Sequence, residues 1–559
     1  MTMDSPTQAS RKTLAAVLRH PHAGALAAGG LAACGFQPLA WWPLTILATA
    51  WLIELVARAP RAMQAFFVGW LFGLSHFTVG NNWIATAFTY QAQMPAWLGA
   101  VAVVLLAIYL ALYPALAALG AWLIVHRLPG SRRRREAGLV SRVTGIGLAL
   151  AGCWILTEWM RAWVFTGFAW NPLGVAVLGP YSGQGLALLT PWIGTYGLSG
   201  VLVLIGGAVR SMAHGFMGAA GSARAGWGLA LVLLAAALGA QVALPAKYLN
   251  GAEGQVRFTL IQPDIRQETL DDPRNYEAHF IKMARLTVPQ DRGDRRVVFW
   301  PESGLVDYLR DGYPERYYRQ MTYAADPALA RERIGQVIGP YSLLLTGAVD
   351  LVIEDQTAIG ARNSVTAIDW RGSILAGYSK AHLVPYGEYL ALRWLLEPLG
   401  ARRLVAGALD FWPGPGARTY DLGAWGKAGM QICYEIIFSG QVVDPADRPD
   451  YIFNPSNDGW FGSWGPPQHL AQARLRAIEE GLPVLRSTTT GISAVIDANG
   501  IVREHLPSHV AGRIDGRIPP AREPTLFARY GNMLPLGMAV LLIAASVVAR
   551  RRHSAYPHA

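Results

Sequence analysis

The sequence predicts a polytopic α-helical membrane domain of about eight transmembrane helices combined with one mixed α/β domain. Hydrophobic residues make up 52% of the 559 residues and charged residues only 15%, whereas soluble domains carry about 25% charged residues. Long apolar segments fill most of residues 24–244, and another covers 533–549. Between them lie short β-rich runs bounded by Gly, Pro, Asp and Asn, a pattern typical of strands.

Most of the predicted transmembrane helices lie in the first half of the chain. A helix needs about 20 apolar residues to cross the hydrocarbon core. Apart from the first two segments, which are short and interrupted by proline, each apolar segment is about long enough. We place the spans near 24–38, 39–57, 64–83, 97–125, 144–165, 192–210, 226–244 and 533–549.

The charges of the loops predict how these helices are oriented. Basic residues precede the first span, separate the fourth span from the fifth as "RRRR" (132–135), and follow the last span at 550–552. The loops around 84–96 and 166–191 contain no Lys or Arg. Because basic loops stay in the cytoplasm, the N-terminus is predicted inside and the α/β domain outside. This topology explains the net charge of +11, so we expect no nucleic-acid partner.

The chain therefore divides into three predicted parts. Residues 1–249 form the membrane domain with about seven transmembrane helices and a cytoplasmic N-terminus. Residues 250–530 form an extracytoplasmic domain large enough for its own core. Residues 531–559 form the last transmembrane helix and a cytoplasmic tail. The clearest helix of the α/β domain is "PPQHLAQARLRAIEEG" (466–481), which begins with proline and ends at glycine.

The chain has three cysteines, Cys34, Cys153 and Cys433. This odd, sparse count argues against a disulfide framework and a structural zinc site. We also expect no metal and no cofactor. Cys433 lies in the predicted extracytoplasmic domain, within "GMQICYEIIFSG". Taken alone, such a thiol is more often a small buried hydrophobic group than a nucleophile.

Two other motifs give this thiol possible partners. Glu302 ends the strand-like run "VVFWPES", and Lys380 lies in "YSKAHLVPYGEY". Taken singly, they are ordinary loop and surface charges. Together with Cys433 they supply a nucleophile, a group that accepts its proton, and a cation that stabilises an oxyanion. The three residues are therefore our candidates for catalysis.

The order Glu302, Lys380, Cys433 resembles the Glu–Lys–Cys triad of the nitrilase (carbon–nitrogen hydrolase) superfamily, which implies an αββα sandwich. The apolar segments, with "WPES", "ICYEI", "SNDGWFG", "QHLAQARLRAIE" and "TEWMRAWVFTGFAWN", resemble the apolipoprotein N-acyltransferase family over nearly the whole chain. The chain departs from that family at Asp271, where a tryptophan is expected. It also has Thr488 and Thr489 where an asparagine is common.

The resemblance implies a ping-pong acyltransferase. Glu302 would act as general base and acid, Cys433 as the nucleophile that carries an acyl thioester, and Lys380 with the Tyr434 backbone N–H would stabilise the oxyanion. The implied donor is a phospholipid, and the acceptor is the α-amine of the N-terminal diacylglyceryl-cysteine of an apolipoprotein. The implied location is the bacterial inner membrane, with the catalytic domain facing the periplasm.

Supporting roles follow from the same motifs. Glu388 would orient Lys380 or Glu302, and Glu435 would hold Tyr434 or a loop by hydrogen bonding. The apolar stretch 390–400 is a candidate lid or lipid-facing lip, or else an ordinary core helix. The long loop between Asp307 and Arg333, rich in Tyr and Arg, has no assigned role.

Two other functions are compatible with the sequence. A membrane-tethered nitrilase-like amidase would use the same triad and hydrolyse its acyl-enzyme. A transporter or scaffold carrying an inactive enzyme domain would need no triad at all. The presence of Glu302, Lys380 and Cys433, and the lack of paired Gly/Pro-broken segments typical of transport sites, favour the acyltransferase.

Overall fold

The computed structural model describes residues 20–90, 95–127, 139–217, 252–290, 295–396, 398 and 409–552. Helices dominate the first part of the chain, as the apolar segments predict. The predicted span 226–244 lies outside the described residues. The helices of this part are α1 (Pro21–Ala33), α2 (Trp42–Arg58), α3 (Ala62–Gly80), α4 (Ile84–Ala87), α5 (Trp97–Leu110), α6 (Leu112–His126), α7 (Leu139–Arg161) and α8 (Thr190–Met217).

Among these described residues, four helical segments are long and apolar enough to cross a membrane: Ala62–Gly80, Trp97–His126, Arg142–Arg161 and Leu186–Ala213. The apolar helix Met533–Ala549 is shorter and lies within α16 (Met533–Arg552). The ends of these helices fall close to the predicted spans.

Small residues let the membrane helices approach one another closely, as is usual in lipid. A Cβ atom added to Gly69 of α3 would lie 2.5 Å from the carbonyl oxygen of Pro114 in α6. One added to Gly152 of α7 would lie 2.7 Å from the carbonyl oxygen of Ala539 in α16. The last helix therefore packs into the N-terminal bundle, although some 300 residues separate them in sequence.

The α/β domain contains two six-stranded sheets. Their strands are β1 (Arg257–Gln262), β2 (Arg296–Phe299), β3 (Leu343–Glu354), β4 (Thr357–Asp369), β5 (Ile374–Ser379), β6 (Thr419–Asp421), β7 (Lys427–Met430), β8 (Tyr451–Ser456), β9 (Val484–Thr488), β10 (Ser493–Ile496), β11 (Val502–Leu506) and β12 (Gly512–Arg517). One has the strand order β12-β1-β2-β3-β4-β5 and the other β11-β10-β9-β8-β7-β6. In each sheet three neighbouring strands are parallel, β1–β3 and β7–β9, and antiparallel strands flank them.

The two sheets pack face to face, with Phe299 of the first against Tyr451 and Phe453 of the second. Helices α10 and α12 cover the outer face of the first sheet. Helix α14 covers the second sheet and also contacts α8 of the membrane domain. The helices of this domain are α9 (Gln267–Leu270), α10 (Tyr276–Thr287), α11 (Glu315–Met321), α12 (Pro327–Ile338), α13 (Arg393–Leu396), α14 (Gly465–Glu480) and α15 (Leu526–Tyr530).

Helix α14 follows the predicted segment 466–481 almost residue for residue. Two prolines begin it, and Gly481 ends it with φ of 66° and ψ of 33°. A residue with a side chain is disfavoured in this left-handed conformation, so glycine is suited to the C-terminal position. The αββα arrangement expected from the nitrilase resemblance is therefore confirmed.

Candidate active site

The two sheets bring together the three residues predicted to do the chemistry. Glu302 follows β2 and Lys380 follows β5, so both come from the first sheet. Cys433 follows β7 of the second sheet. All three are buried and line one cavity. The site therefore lies at the contact between the sheets and needs both of them.

Lys380 is held between two carboxylates. Its Nζ lies 3.0 Å from Glu388 Oε2 and 3.4 Å from Glu302 Oε1, and only 1% of the residue is exposed. Burial alone would lower the pKa of Lys380, but the charges of Glu388 and Glu302 raise it above its usual value. Lys380 is therefore a fixed cation in the site, and Glu388 directly contacts Lys380, one of its two predicted partners.

Asn363 of β4 completes this charged cluster and was not predicted. Its Nδ2 donates hydrogen bonds to Glu302 Oε1 and to Glu388 Oε1, each of 2.8 Å. The second oxygen of Glu302 accepts a 2.8 Å hydrogen bond from the backbone N–H of Asn457. Asparagine is uncommon in strands, which could have drawn attention to Asn363 but does not reveal its contacts with the two carboxylates.

Cys433 begins a short 3₁₀ turn, Cys433–Ile437, and has a φ of 49°. Non-glycine residues seldom adopt this conformation, which is common at functional sites. Burial and the negative charge of Glu302 raise the pKa of the thiol well above its ordinary value, although Lys380 lowers it. The resting thiol is therefore protonated, and a nucleophilic role requires a nearby base.

Glu435 connects the turn that carries Cys433 to the loop that carries Lys380. Its Oε1 accepts hydrogen bonds from Tyr378 Oη (2.7 Å), Ala381 N (2.7 Å) and His382 N (3.2 Å). Its Oε2 accepts one from Ile432 N at 2.8 Å. Burial raises the pKa of Glu435 to about 7 despite these donors. Two alternatives were predicted for Glu435, holding Tyr434 or holding a loop, and these contacts match the second.

Tyr434 follows the nucleophile and connects the site to the membrane domain. Its side-chain hydroxyl donates a 3.2 Å hydrogen bond to the carbonyl oxygen of Gly167, which lies in the loop after α7. Its ring packs edge-to-face on Phe438. The side chain is therefore fixed between the two domains, and Tyr434 also lines the cavity that contains Cys433.

The cavity that contains the candidate site has a volume of about 1540 Å³. Its lining is mostly apolar and extends from Cys433 to α5, where Val101 and Leu105 line it. These two residues are 41% and 60% exposed, so the cavity opens beside an apolar outer surface of the helix. Further apolar lining residues are Leu98, Leu106, Phe165, Phe168, Leu392 and Phe411.

Three regions whose roles the sequence left open also border this cavity: Asp271, the loop 307–333 and the stretch 390–400. Asp271 lines it together with Tyr308 and Met321, and burial raises the pKa of Asp271. The loop 307–333 contains α11 and is anchored where Asp307 Oδ1 accepts a 2.6 Å hydrogen bond from Tyr323 N. Within the stretch 390–400, Trp394 of α13 is exposed, which favours the lip over a core helix.

One group of residues has the composition of a metal site. Potential ligand atoms of Cys433, Asp458 and His469 lie within 4.8 Å of one another. Both ring nitrogens of His469 already have protein partners, and the Arg486 guanidinium lies 2.6 Å from Asp458 Oδ2. A cation beside this fixed positive charge would be repelled. These residues therefore fit a hydrogen-bonded cluster and do not fit a metal ion.

The fold and the family matches define a class: a membrane protein that carries a carbon–nitrogen hydrolase domain. Residues 259–521 match the family model for carbon-nitrogen hydrolases. Residues 28–208 match that for the apolipoprotein N-acyltransferase N-terminal domain. A solved amidase from Nesterenkonia sp. aligns with 18% identity and a TM-score of 0.31, covering 48% of this chain and 93% of that chain.

Curated relatives match along nearly the whole chain. Apolipoprotein N-acyltransferase of Rhodopseudomonas palustris is 34% identical, with 94% of this chain and 95% of the relative covered. That of Bradyrhizobium diazoefficiens is also 34% identical, with 96% and 95% covered. The chain belongs to the apolipoprotein N-acyltransferase family and is an acyltransferase. The predicted family is thereby confirmed.

Proposed function

We propose that this protein transfers an acyl chain from a phospholipid, through a thioester on Cys433, to the α-amine of the N-terminal diacylglyceryl-cysteine of apolipoproteins. The observation that carries the proposal is the meeting of Glu302, Lys380 and Cys433 in an apolar cavity that opens beside α5. A cavity of this kind accepts a lipid chain and brings its ester to the thiol.

In the first half-reaction, Glu302 accepts the proton of the Cys433 thiol and the sulfur attacks the ester carbonyl carbon. The positive charge of Lys380 and the backbone N–H of Tyr434 stabilise the oxyanion that forms. When the C–O bond breaks, Glu302 returns the proton to the departing lyso-phospholipid. The acyl group remains on Cys433 as a thioester. Glu388 and Asn363 keep Lys380 and Glu302 in position through the contacts described above.

In the second half-reaction, the acceptor amine attacks the thioester carbonyl. Glu302 accepts a proton from the attacking nitrogen, the C–S bond breaks, and Glu302 passes this proton to the departing thiolate of Cys433. Thiolate leaves more easily than alkoxide, so the covalent intermediate divides one difficult step into two easier ones. Because water would hydrolyse the thioester, exclusion of water by the apolar cavity favours transfer.

The location follows from the charge pattern of the loops. We infer a bacterial inner-membrane protein whose membrane domain covers residues 1–249 and whose catalytic domain, 250–530, faces the periplasm. Residues 531–559 then return the chain to the cytoplasm. Exposed tryptophans near the ends of membrane helices, such as Trp97 and Trp192, suit a membrane–water interface.

The test uses the purified full-length protein in detergent and a phospholipid with a labelled acyl chain. We expect label on Cys433 that is stable until a diacylated lipopeptide is added and then moves to the lipopeptide amine. The variant Cys433→Ala should give neither product. Rapid release of labelled free fatty acid without any lipopeptide product would instead identify a membrane-tethered amidase. Unchanged lipopeptide acylation by Cys433→Ala would refute the triad.

A further inference from the structure

Helix α14 forms hydrogen bonds with both ends of the turn Cys433–Ile437, which carries the proposed nucleophile. The side chain of His469 points from this helix to the turn, and its Nε2 lies 3.0 Å from the carbonyl oxygen of Cys433. Seven residues further along, Arg476 Nη1 donates a 3.0 Å hydrogen bond to the carbonyl oxygen of Ile437. The first and last residues of the turn are therefore both bound by α14.

The hydrogen-bond partners of His469 decide where its proton lies. Nε2 faces only a carbonyl oxygen, so it must carry a hydrogen. Nδ1 lies 2.9 Å from Asp458 Oδ1 and 3.0 Å from Arg486 Nη2, so this nitrogen is satisfied as a donor or as an acceptor. The side chains of His469, Asp458 and Arg486 are completely buried. The ring thus donates from Nε2 whichever protonation state Nδ1 adopts.

The carbonyl of Cys433 and the N–H of Tyr434 belong to one peptide group. A peptide group is planar and trans, so its C=O and N–H point in opposite directions. The carbonyl points to His469, and none of the described residues lining the cavity belongs to α14. The N–H of Tyr434 therefore points away from α14. A hydrogen bond to the carbonyl also polarises the peptide and makes the N–H a stronger donor.

We propose that His469 is a positioning residue for acyl transfer, which orients and polarises the Cys433–Tyr434 peptide so that the Tyr434 N–H stabilises the oxyanion. Asp458 and Arg486 hold the imidazole in place. This inference rests on the proposed function, because it requires Tyr434 N–H to be an oxyanion donor. It adds a role for a residue that touches neither the ester nor the thiol sulfur.

Two polar substitutions separate this role from a structural one. In His469→Gln the amide nitrogen can take the position of Nε2 and reach the Cys433 carbonyl. In His469→Asn the shorter side chain retains contact with Asp458 and Arg486 but cannot reach that carbonyl. Gln472→Leu is the matched control, because Gln472 is equally buried in α14 and binds Asn171 N of the membrane domain at 3.2 Å.

Each full-length variant is tested by two reactions of the same thiol. Single-turnover transfer from labelled phospholipid passes through an oxyanion, whereas alkylation by iodoacetamide displaces iodide and forms none. For His469→Asn we expect acylation to slow by about tenfold to a hundredfold, less than the loss of a whole oxyanion donor. Alkylation should stay within about twofold of the parent, and His469→Gln should recover most of the acylation rate.

Three outcomes would overturn the proposal. Acylation and alkylation could fall in parallel in His469→Asn, which would mean that the imidazole acts on the thiol or on the fold. His469→Gln could be as slow as His469→Asn, or Gln472→Leu could be equally slow. Failure of the proposed function looks different, because the parent protein itself would then form no labelled thioester on Cys433.

Discussion

The two sheets of the α/β domain have similar strand arrangements and contribute different chemistry. The first sheet supplies the charged groups, Glu302 after β2 and Lys380 after β5. The second supplies the protonated thiol of Cys433 after β7 and the backbone N–H of Asn457 after β8. Because the proposed base and the proposed nucleophile come from opposite sheets, the geometry of the candidate site depends on how the sheets pack.

The helices that cover the two sheets differ in how much of their surface is exposed. Helix α12 on the first sheet has exposed residues along one side, as expected of a surface helix. Helix α14 on the second sheet is buried along almost its whole length, because the membrane domain covers its other side. Its Arg474 donates hydrogen bonds to the carbonyl oxygens of Gly179, Pro180 and Gly183. The proposed nucleophile, Cys433, is therefore on the sheet that is attached to the membrane domain.

The largest effect is expected from removing Glu302, the proposed base of the first sheet. Glu302→Gln preserves the shape of the side chain but cannot accept the thiol proton, so single-turnover acylation should fall about a thousandfold. Since the charge of Glu302 raises the pKa of Cys433, the pH midpoint of iodoacetamide alkylation should move down. Glu315→Gln, at an exposed carboxylate, is the control. Unchanged acylation in Glu302→Gln would exclude Glu302 as the base.

The cation of the same sheet should have the next largest effect. Lys380→Met removes a positive charge from the oxyanion and should slow acylation about a hundredfold to a thousandfold. Lys380 lowers the pKa of Cys433, so the alkylation midpoint should move up, opposite to Glu302→Gln. Lys427→Met is the control, since Lys427 pairs with Asp447 near the surface. Midpoints moving the same way in both site variants would contradict this electrostatic account.

The link between the sheets should matter less than the reacting groups. Glu435→Gln has one oxygen and an NH₂ group in place of two acceptor oxygens, so it loses at least one of the bonds to Ala381 and Ile432. We expect acylation to slow about tenfold, as for a misplaced but intact catalytic group, with little change in KM for phospholipid. Glu480→Gln, at another buried carboxylate, provides the comparison. A loss confined to KM would place Glu435 in substrate binding instead.

The smallest effect is expected where the sheets touch away from the reacting groups. Ser487 Oγ of the second sheet donates a 2.8 Å hydrogen bond to the carbonyl oxygen of Ile261 in the first. Ser487→Ala should lower the free energy of unfolding by about 1 kcal/mol, measured by thermal or denaturant unfolding, with acylation nearly unchanged. A large fall in acylation would show that any loosening of the sheets disturbs the site.

Much of the fold could be predicted because it depends on local patterns. The apolar segments closely match helices such as α3 and α7, since both span length and hydropathy are properties of a continuous stretch. Helix α14 could be predicted from its prolines and Gly481. Glu302, Lys380 and Cys433 could be singled out because residue type and position after a strand limit the possible chemistry.

The remaining features depend on contacts that no local pattern encodes. Asn363 is 61 residues from Glu302 in sequence, and Asn457 is 155 residues from it, yet both bind its carboxylate. His469 lies within the motif "QHLAQARLRAIE", but its bond to the Cys433 carbonyl exists only because α14 packs against the turn. The sequence by itself determined which groups are candidates for the reaction. The tertiary structure decided which groups aim them, because hydrogen bonds act over about 3 Å in space, whatever the separation along the chain.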